Sequence, residues 1–218
     1  MNDETKNWFK DMSFLEKMEY IWDYYKVHIL VGIFIIFILV AFINTMVNKK
    51  EYILNIALLG QYIDYDKEAK FDKEITKEII GDSNGKKQAS VDFYRLIKDS
   101  DGTYVLDAPS FEKLMVRIGS GQIDVMLVDK KYFNIFVDQG AFLCLNDLKD
   151  LDLERLHLAE INSSLKIKPG VYGIYIDDDN KYLDYLGYDY KNKIIVIMNK
   201  DQHKELSIKF IKWLLNIK

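Results

Sequence analysis

The sequence predicts an α/β domain, helices flanking a mainly parallel sheet, carried behind one N-terminal transmembrane helix. Three observations lead there. Residues 27–47 form an apolar run that no Asp, Glu, Lys or Arg interrupts. After it, short apolar stretches of strand character alternate with stretches whose apolar residues recur every three or four positions. Glycines close the helical stretches, and no Gly-, Ser- or Pro-rich segment breaks the order.

The anchor comes first in the chain. Residues 27–47 read VHILVGIFIIFILVAFINTMV, and Ile29 to Ile43 is apolar on every face rather than along one stripe. At 1.5 Å per residue, roughly 20 such residues span the hydrocarbon core of a bilayer. Ahead of it, Ser13-Phe14-Leu15-Glu16 fits a capping box. Phe14, Met18, Ile21, Trp22 and Tyr25 then recur at helical spacing. Tyr20, Trp22, Tyr24 and Tyr25, with Lys26 at the boundary, fall where an interfacial aromatic belt would lie, and Trp8 and Phe9 are placed to touch the same surface. Residues 14–26 therefore read as a helix at headgroup level. The expected organisation is a cytoplasmic amphipathic segment at 1–26, a transmembrane helix at 27–48 and an extracytoplasmic α/β domain at 49–218. The acidic start MNDETKNWFKD and the absence of a small-x-small cleavage pattern predict that the helix stays attached. Lysines balance across the span, Lys10, Lys17 and Lys26 against Lys49, Lys50 and Lys67. The short N-terminal tail, which carries Lys6 as well, favours N-inside, C-outside.

Composition excludes several classes. The 218 residues carry 30 basic and 34 acidic side chains, net charge −4, with the two signs interleaved as in KDLDLERLHLAE. Such a surface lacks the basic stripe of a nucleic-acid binder. The single cysteine, Cys144, sits in AFLCLNDL and reads as a small buried hydrophobe. The three histidines, His28, His157 and His203, are scattered, and no CxxC, GxSxG, HExxH or Walker-type loop occurs. GSGQ lacks dinucleotide-fingerprint spacing and follows a helix. Asp177-Asp178-Asp179-Asn180 lacks the glycine and glutamate of a calcium loop and reads as a solvated turn. The chain is expected not to be an enzyme and to hold no cofactor or metal.

Beyond the anchor, residues 52–59 (YILNIALL) read as a strand, 66–80 as a helix and 89–97 as a strand. A turn follows at 99–102. Pro109 suits the first turn of a helix whose face is Phe111, Leu114, Met115 and Ile118. Residues 123–128 (IDVMLV) read as a strand, 130–137 as a short helix, and 171–176 and 194–198 as strands. Leu206, Phe210, Leu214 and Ile217 mark a closing helix. Strand–helix alternation of this kind implies parallel pairing covered on both faces.

The run FEKLMVRIGSGQIDVMLVDKKYFNIFVDQGAFLCLNDL resembles extracellular solute-binding proteins of bacterial uptake systems. The resemblance lies in a helix ending at glycine, a "GxIDVMxxD" strand at Gly121 to Asp129, then a helix and "QGxFxxLxDL" at Gln139 to Leu148. VYGIYIDDDNKYLDYLG and IIVIMNKDQHKELSIKFIKWLL are similar to that family's return into its first lobe. The likeness spans about half of the chain and implies a periplasmic-binding-protein-like fold. EYIWDYYKVHILVG is similar to anchors of Gram-positive membrane proteins that carry such domains. The family has two full lobes and a lipid-bearing cysteine. Here the stretch after the anchor is of single-domain size, so the second lobe is expected to be reduced, at Asn146 to Gly170, and no such cysteine is present.

In open α/β sheets, ligands bind beyond the carboxyl ends of the strands at a topological switch point. That rule selects Gln61 and Tyr62 after the first strand, Asp129 after IDVMLV, and Asp107 and Ser110 ahead of the third helix. Tyr182, Tyr185, Tyr188 and Tyr190 suit either a contact surface or half-buried packing. The expected function is an extracytoplasmic binding module that captures or senses a small solute or peptide for a transport system. Its partners would be the lipid membrane and a transporter, not nucleic acid. The alternative is a non-catalytic structural or regulatory subunit of a membrane complex.

Overall fold

The computed structural model describes residues 13–47, 49–81, 85–148, 151, 153–162 and 167–217. The chain divides into two compact units, Met1–Lys49 and Lys50–Lys218. In the first, helix α1 runs unbroken over Phe14–Val47. Its start is the expected capping box: the Ser13 N–H donates to Glu16 Oε2 at 2.8 Å and the Glu16 N–H to Ser13 Oγ at 3.4 Å. At 34 residues the helix is about 50 Å long. Its most apolar window has a mean hydropathy of 2.8, none of it buried, so α1 is long and apolar enough to cross a membrane. The aromatic segment and the apolar run are thus one continuous helix, and the expected boundary at 26/27 falls inside it. Tyr20 and Tyr24 stack along it at 6.1 Å between ring centroids. Lys6, Trp8, Phe9 and Lys10 lie outside the described residues.

The second unit follows the order β1 (Glu51–Gly60), α2 (Tyr65–Ile75, extended by a π turn over Thr76–Ile80), β2 (Lys87–Lys98), β3 (Tyr104–Leu106), α3 (Ala108–Gly119), β4 (Val125–Val128) and α4 (Lys130–Val137). A 3-10 turn at Leu145–Asp147 leads to β5 (Leu158–Ile161), β6 (Gly170–Tyr175), α5 (Lys181–Leu186), β7 (Ile194–Ile197) and α6 (Lys204–Leu214). All seven strands form one sheet in the order β3-β2-β1-β4-β7-β6-β5.

The sheet is mixed, not mainly parallel. Only β2, β1 and β4 run parallel; β3, β7, β6 and β5 each pair antiparallel with their neighbours. Between β6 and β7 lies α5, a helix the sequence reading did not assign, and it is too short to act as a crossover. Six residues of α5 cover about 9 Å, against about 20 Å for β6. So α5 cannot carry the chain back along the strand. Gly187 and Asn192, both at positive φ, turn it instead, and β7 re-enters from the end that β6 left. The described part of 146–170, where a reduced second lobe was expected, supplies the 3-10 turn and β5, and β5 joins the common sheet.

Alternation along the strands builds two cores. Ile56, Leu58, Val125, Leu127, Ile195 and Ile197 face one side with Phe71, Ile75 and Phe210 from α2 and α6. Ala57, Leu59, Met126, Val128, Ile194 and Val196 face the other with Leu114, Phe133 and Phe136 from α3 and α4. Both faces are therefore apolar, as strands covered on both sides require.

Helix side chains protect the part of β2 that β3 does not reach. The Ala89 N–H donates to Thr76 Oγ1 at 2.9 Å, and the Val91 N–H to Asp72 Oδ1 at 3.0 Å. Such contacts satisfy an open edge. They also draw Asp72 out of water, and burial pushes its carboxyl up to about 7, with Glu68 and Asp92 adding to the shift. A carboxyl raised in the folded state favours folding in acid. That contribution falls away as pH rises from about 4 through about 7. We expect Asp72→Asn, which keeps an acceptor for Val91, to match the parent chain near the low end of that window. Above the window it should be more stable, by about 1 kcal/mol after screening by solvent at this half-buried site. Urea unfolding of both chains in detergent across that range measures it, and a difference independent of pH would contradict it.

Candidate functional site

The chain leaves β1 for β2 on one side and returns to β4 on the other, so the carboxyl ends of β1 and β4 flank a topological switch point. A cleft of about 640 Å³ opens there. It is built by the turn between α5 and β7. The Tyr188 hydroxyl donates to the Leu59 carbonyl at 2.6 Å, and Asp189 Oδ1 accepts the Gln61 N–H at 2.9 Å. A Cβ on Gly60 would collide with the Asp189 carboxylate and the Tyr188 ring, so glycine permits this approach. Across the cleft, Asp129 caps α4 by accepting the Tyr132 N–H at 2.9 Å.

Lys193 also lines this cleft, immediately before β7. Its side chain is 6% exposed and Nζ lies 3.9 Å from Asp189 Oδ2. Burial pushes the Lys193 ammonium down, against the opposing pull of Asp189 and Asp129. Burial likewise pushes Asp189 up, although Lys193 and the Gln61 N–H favour its charged form. Both shifts run toward neutrality, as expected of a desolvated pair at long contact distance. Leu96, Tyr104 and Tyr188 give the cleft apolar surface, and Lys130 and Lys131 add positive charge. The arrangement offers ammonium groups, carboxylates and aromatic walls in a space suited to a small polar solute.

Of the residues selected from sequence, Gln61 and Asp129 line this cleft. Tyr62 lies outside it, exposed and against the backbone at Gly187. Asp107 caps α3 by accepting the Ser110 N–H at 2.9 Å, and Ser110 Oγ accepts the Arg95 N–H of β2 at 2.9 Å. Both thus complete secondary structure. Sequence reasoning missed Lys193 and Asp189. The one available signal was a lysine set directly against the apolar run 194–198. Among the clustered tyrosines, Tyr188 and Tyr190 are buried, Tyr182 packs on Trp213 at 3.9 Å between centroids, and Tyr185 is exposed. Asn180 of the acidic turn caps α5 and donates to the Leu214 carbonyl at 2.8 Å. His157 stacks on Tyr175 at 4.5 Å. Among the described residues, the group able to hold a metal is Asp124, Asp201 and His203, at the other end of β4 and β7.

The ion pair predicts an asymmetry between its partners. Asp189→Ala strands a buried ammonium and should lower stability by roughly 2 kcal/mol. Lys193→Met removes the buried charge, leaves Asp189 bonded to Gln61, and should cost less than about 1 kcal/mol. Denaturant unfolding of the two variants tests the order, and equal losses would show that the pair is not desolvated.

No family model matches the sequence, and no curated protein matches it. A distant structural neighbour is an extracellular solute-binding protein family 1 member from Alicyclobacillus acidocaldarius subsp. acidocaldarius DSM 446, with 18% identity and a TM-score of 0.35 over 59% of this chain. The match spans 28% of that protein's length.

Proposed function

We propose that this chain is a single-pass membrane protein whose α/β unit, Lys50–Lys218, is a non-catalytic module that binds a small polar solute outside the cytoplasm, in the service of a transport system. The observation that carries the reading is the cleft at the switch point between β1 and β4, with Lys193, Asp189 and Asp129 converging on it. A carboxylate or hydroxyl of the solute would take Lys193, and an amine or hydroxyl would take the aspartates. Helix α1, uncharged over 27–47 and exposed along its length, supports anchoring in the membrane. The short N-terminal tail supports an N-inside orientation.

A second reading, a structural or regulatory subunit of a membrane complex, draws on one observation. Tyr62, Tyr65 and Tyr185 are all exposed near the α5–β7 turn, where Lys67 also sits 5.6 Å over the Tyr185 ring. Exposed aromatic rings with polar tips suit a protein interface.

A thermal-shift screen of the 218-residue chain in detergent, against amino acids, sugars and short peptides, tests the first reading. A ligand at about 100 times its Kd should stabilise the fold by about 2.7 kcal/mol, and Lys193→Met should abolish the shift. If no compound shifts the melt while crosslinking in membranes captures a defined partner through Tyr62 or Tyr185, the second reading replaces it. Orientation is checked by single cysteines at Ser13 and at the exposed Ser100 in a Cys144→Ser background. An impermeant maleimide on intact cells should label position 100 and spare position 13.

A further inference from the structure

At the ends of β4 and β7 away from the cleft, Asp124, Asp201 and His203 bring one ligand atom each to within 4.8 Å of one another. Asp124 precedes β4, while Asp201 and His203 lie between β7 and α6. The two aspartates are 3% and 5% exposed. Each is anchored through one oxygen only. Asp124 Oδ2 accepts the Asn55 N–H at 2.7 Å and the Asn55 side-chain amide at 3.2 Å. Asp201 Oδ1 accepts the His203 N–H at 2.6 Å. The remaining atoms are left facing one another. Asp124 Oδ1 lies 3.7 Å from His203 Nδ1. Among the described residues, Asp201 Oδ2, His203 Nδ1 and the Ser207 hydroxyl beside Asp201 are buried without a hydrogen bond.

A buried carboxylate oxygen with no donor is costly, and two carboxylates packed together raise that cost. The surrounding structure holds them there regardless. Asn55, which fixes Asp124, accepts from Arg117 Nη2 at 3.2 Å, and Arg117 is ion-paired to Asp92. This is how outer residues orient the ligands of a metal: one oxygen tied back, the other presented. Asp201 and His203 also line a surface depression of about 470 Å³, which gives an ion a route in and room for water to complete its coordination.

We infer that Asp124, Asp201 and His203 bind a first-row divalent cation, in the class of Mn²⁺ or Zn²⁺. Two carboxylates and one imidazole suit these ions, whereas Mg²⁺ and Ca²⁺ favour oxygen-only shells. The ion would tie the start of β4 and the end of β7 to the start of α6. The other way to balance the charge is a proton held within the cluster, which needs no ion.

Calorimetry on the chelator-treated 218-residue chain in detergent decides between them, with MnCl₂, ZnCl₂, MgCl₂ and CaCl₂ titrated separately near neutral pH. The expected result is one saturable site per chain for Mn²⁺ or Zn²⁺, at least about tenfold tighter than for Mg²⁺ or Ca²⁺, and a higher melting temperature with the ion bound. Asp201→Asn, which keeps an acceptor for the His203 N–H, and His203→Gln should each weaken binding by at least about tenfold. Melting of both variants without metal checks that they are folded, and loss of binding in either folded variant supports the site. No saturation by about 1 mM ion would overturn the proposal. Binding unchanged in both variants would also overturn it, by placing the ion elsewhere.

Discussion

The sheet of the second unit is apolar on both faces, and that constraint decides where charge can go. Along β1, β4 and β7 every residue from Ile56 to Leu59, Val125 to Val128 and Ile194 to Ile197 is buried in one core or the other. No position in these stretches can carry an ionised side chain without stranding it in hydrocarbon. Polar groups are therefore driven to the strand ends, where backbone amides and helix starts can satisfy them. Lys193, Asp189 and Asp129 gather at one end, and Asp124, Asp201 and His203 at the other. The flanking residues of β4 show the pattern most simply: Asp124 and Asp129 bracket an uninterrupted Val-Met-Leu-Val.

The same constraint explains which polar residues are spent on structure. β2 is paired along one side by β1 but meets β3 only over its last residues. Its open amides need acceptors, and Thr76, Asp72 and Ser110 supply them from α2, its π turn and α3. Ser110 looked like a ligand residue from sequence because polar groups ahead of a helix near a strand end serve both purposes. Which purpose wins depends on whether a backbone amide already lies within reach.

Elements that show a helical period or a continuous apolar run were legible in the sequence. The helices at Tyr65–Ile80, Ala108–Gly119 and Lys130–Val137 and the strands β1, β2, β4, β6 and β7 sit within about two residues of their expected places. So does the helix start at Ser13-Phe14-Leu15-Glu16, a signal contained in four residues. Pairing direction was not legible, because it depends on how far α5 reaches, and neither periodicity nor composition encodes that. β3 has only three residues, and β5, LAEI, is broken by a glutamate, so neither stands out as an apolar run. The switch-point rule found Gln61 and Asp129, whose places are fixed by their own strands. It missed Lys193 and Asp189 because β7 arrives from the opposite direction, so its amino end, not its carboxyl end, borders the cleft.

The two ends of the sheet differ in how their charge is balanced. At the cleft the cation is supplied from within: Lys193 sits beside Asp189, and Asp129 is bonded to an amide of α4. Such a site can stand open to solvent and exchange its internal contacts for those of a solute. At the other end two carboxylates face one imidazole, and among the described residues no hydrogen bond reaches Asp201 Oδ2. Coulomb repulsion between close carboxylates grows as the local dielectric falls, so burial makes this arrangement less tolerant of standing uncompensated than the cleft. One end of β4 and β7 therefore carries its own counter-charge, while the other leaves two buried carboxylates close together.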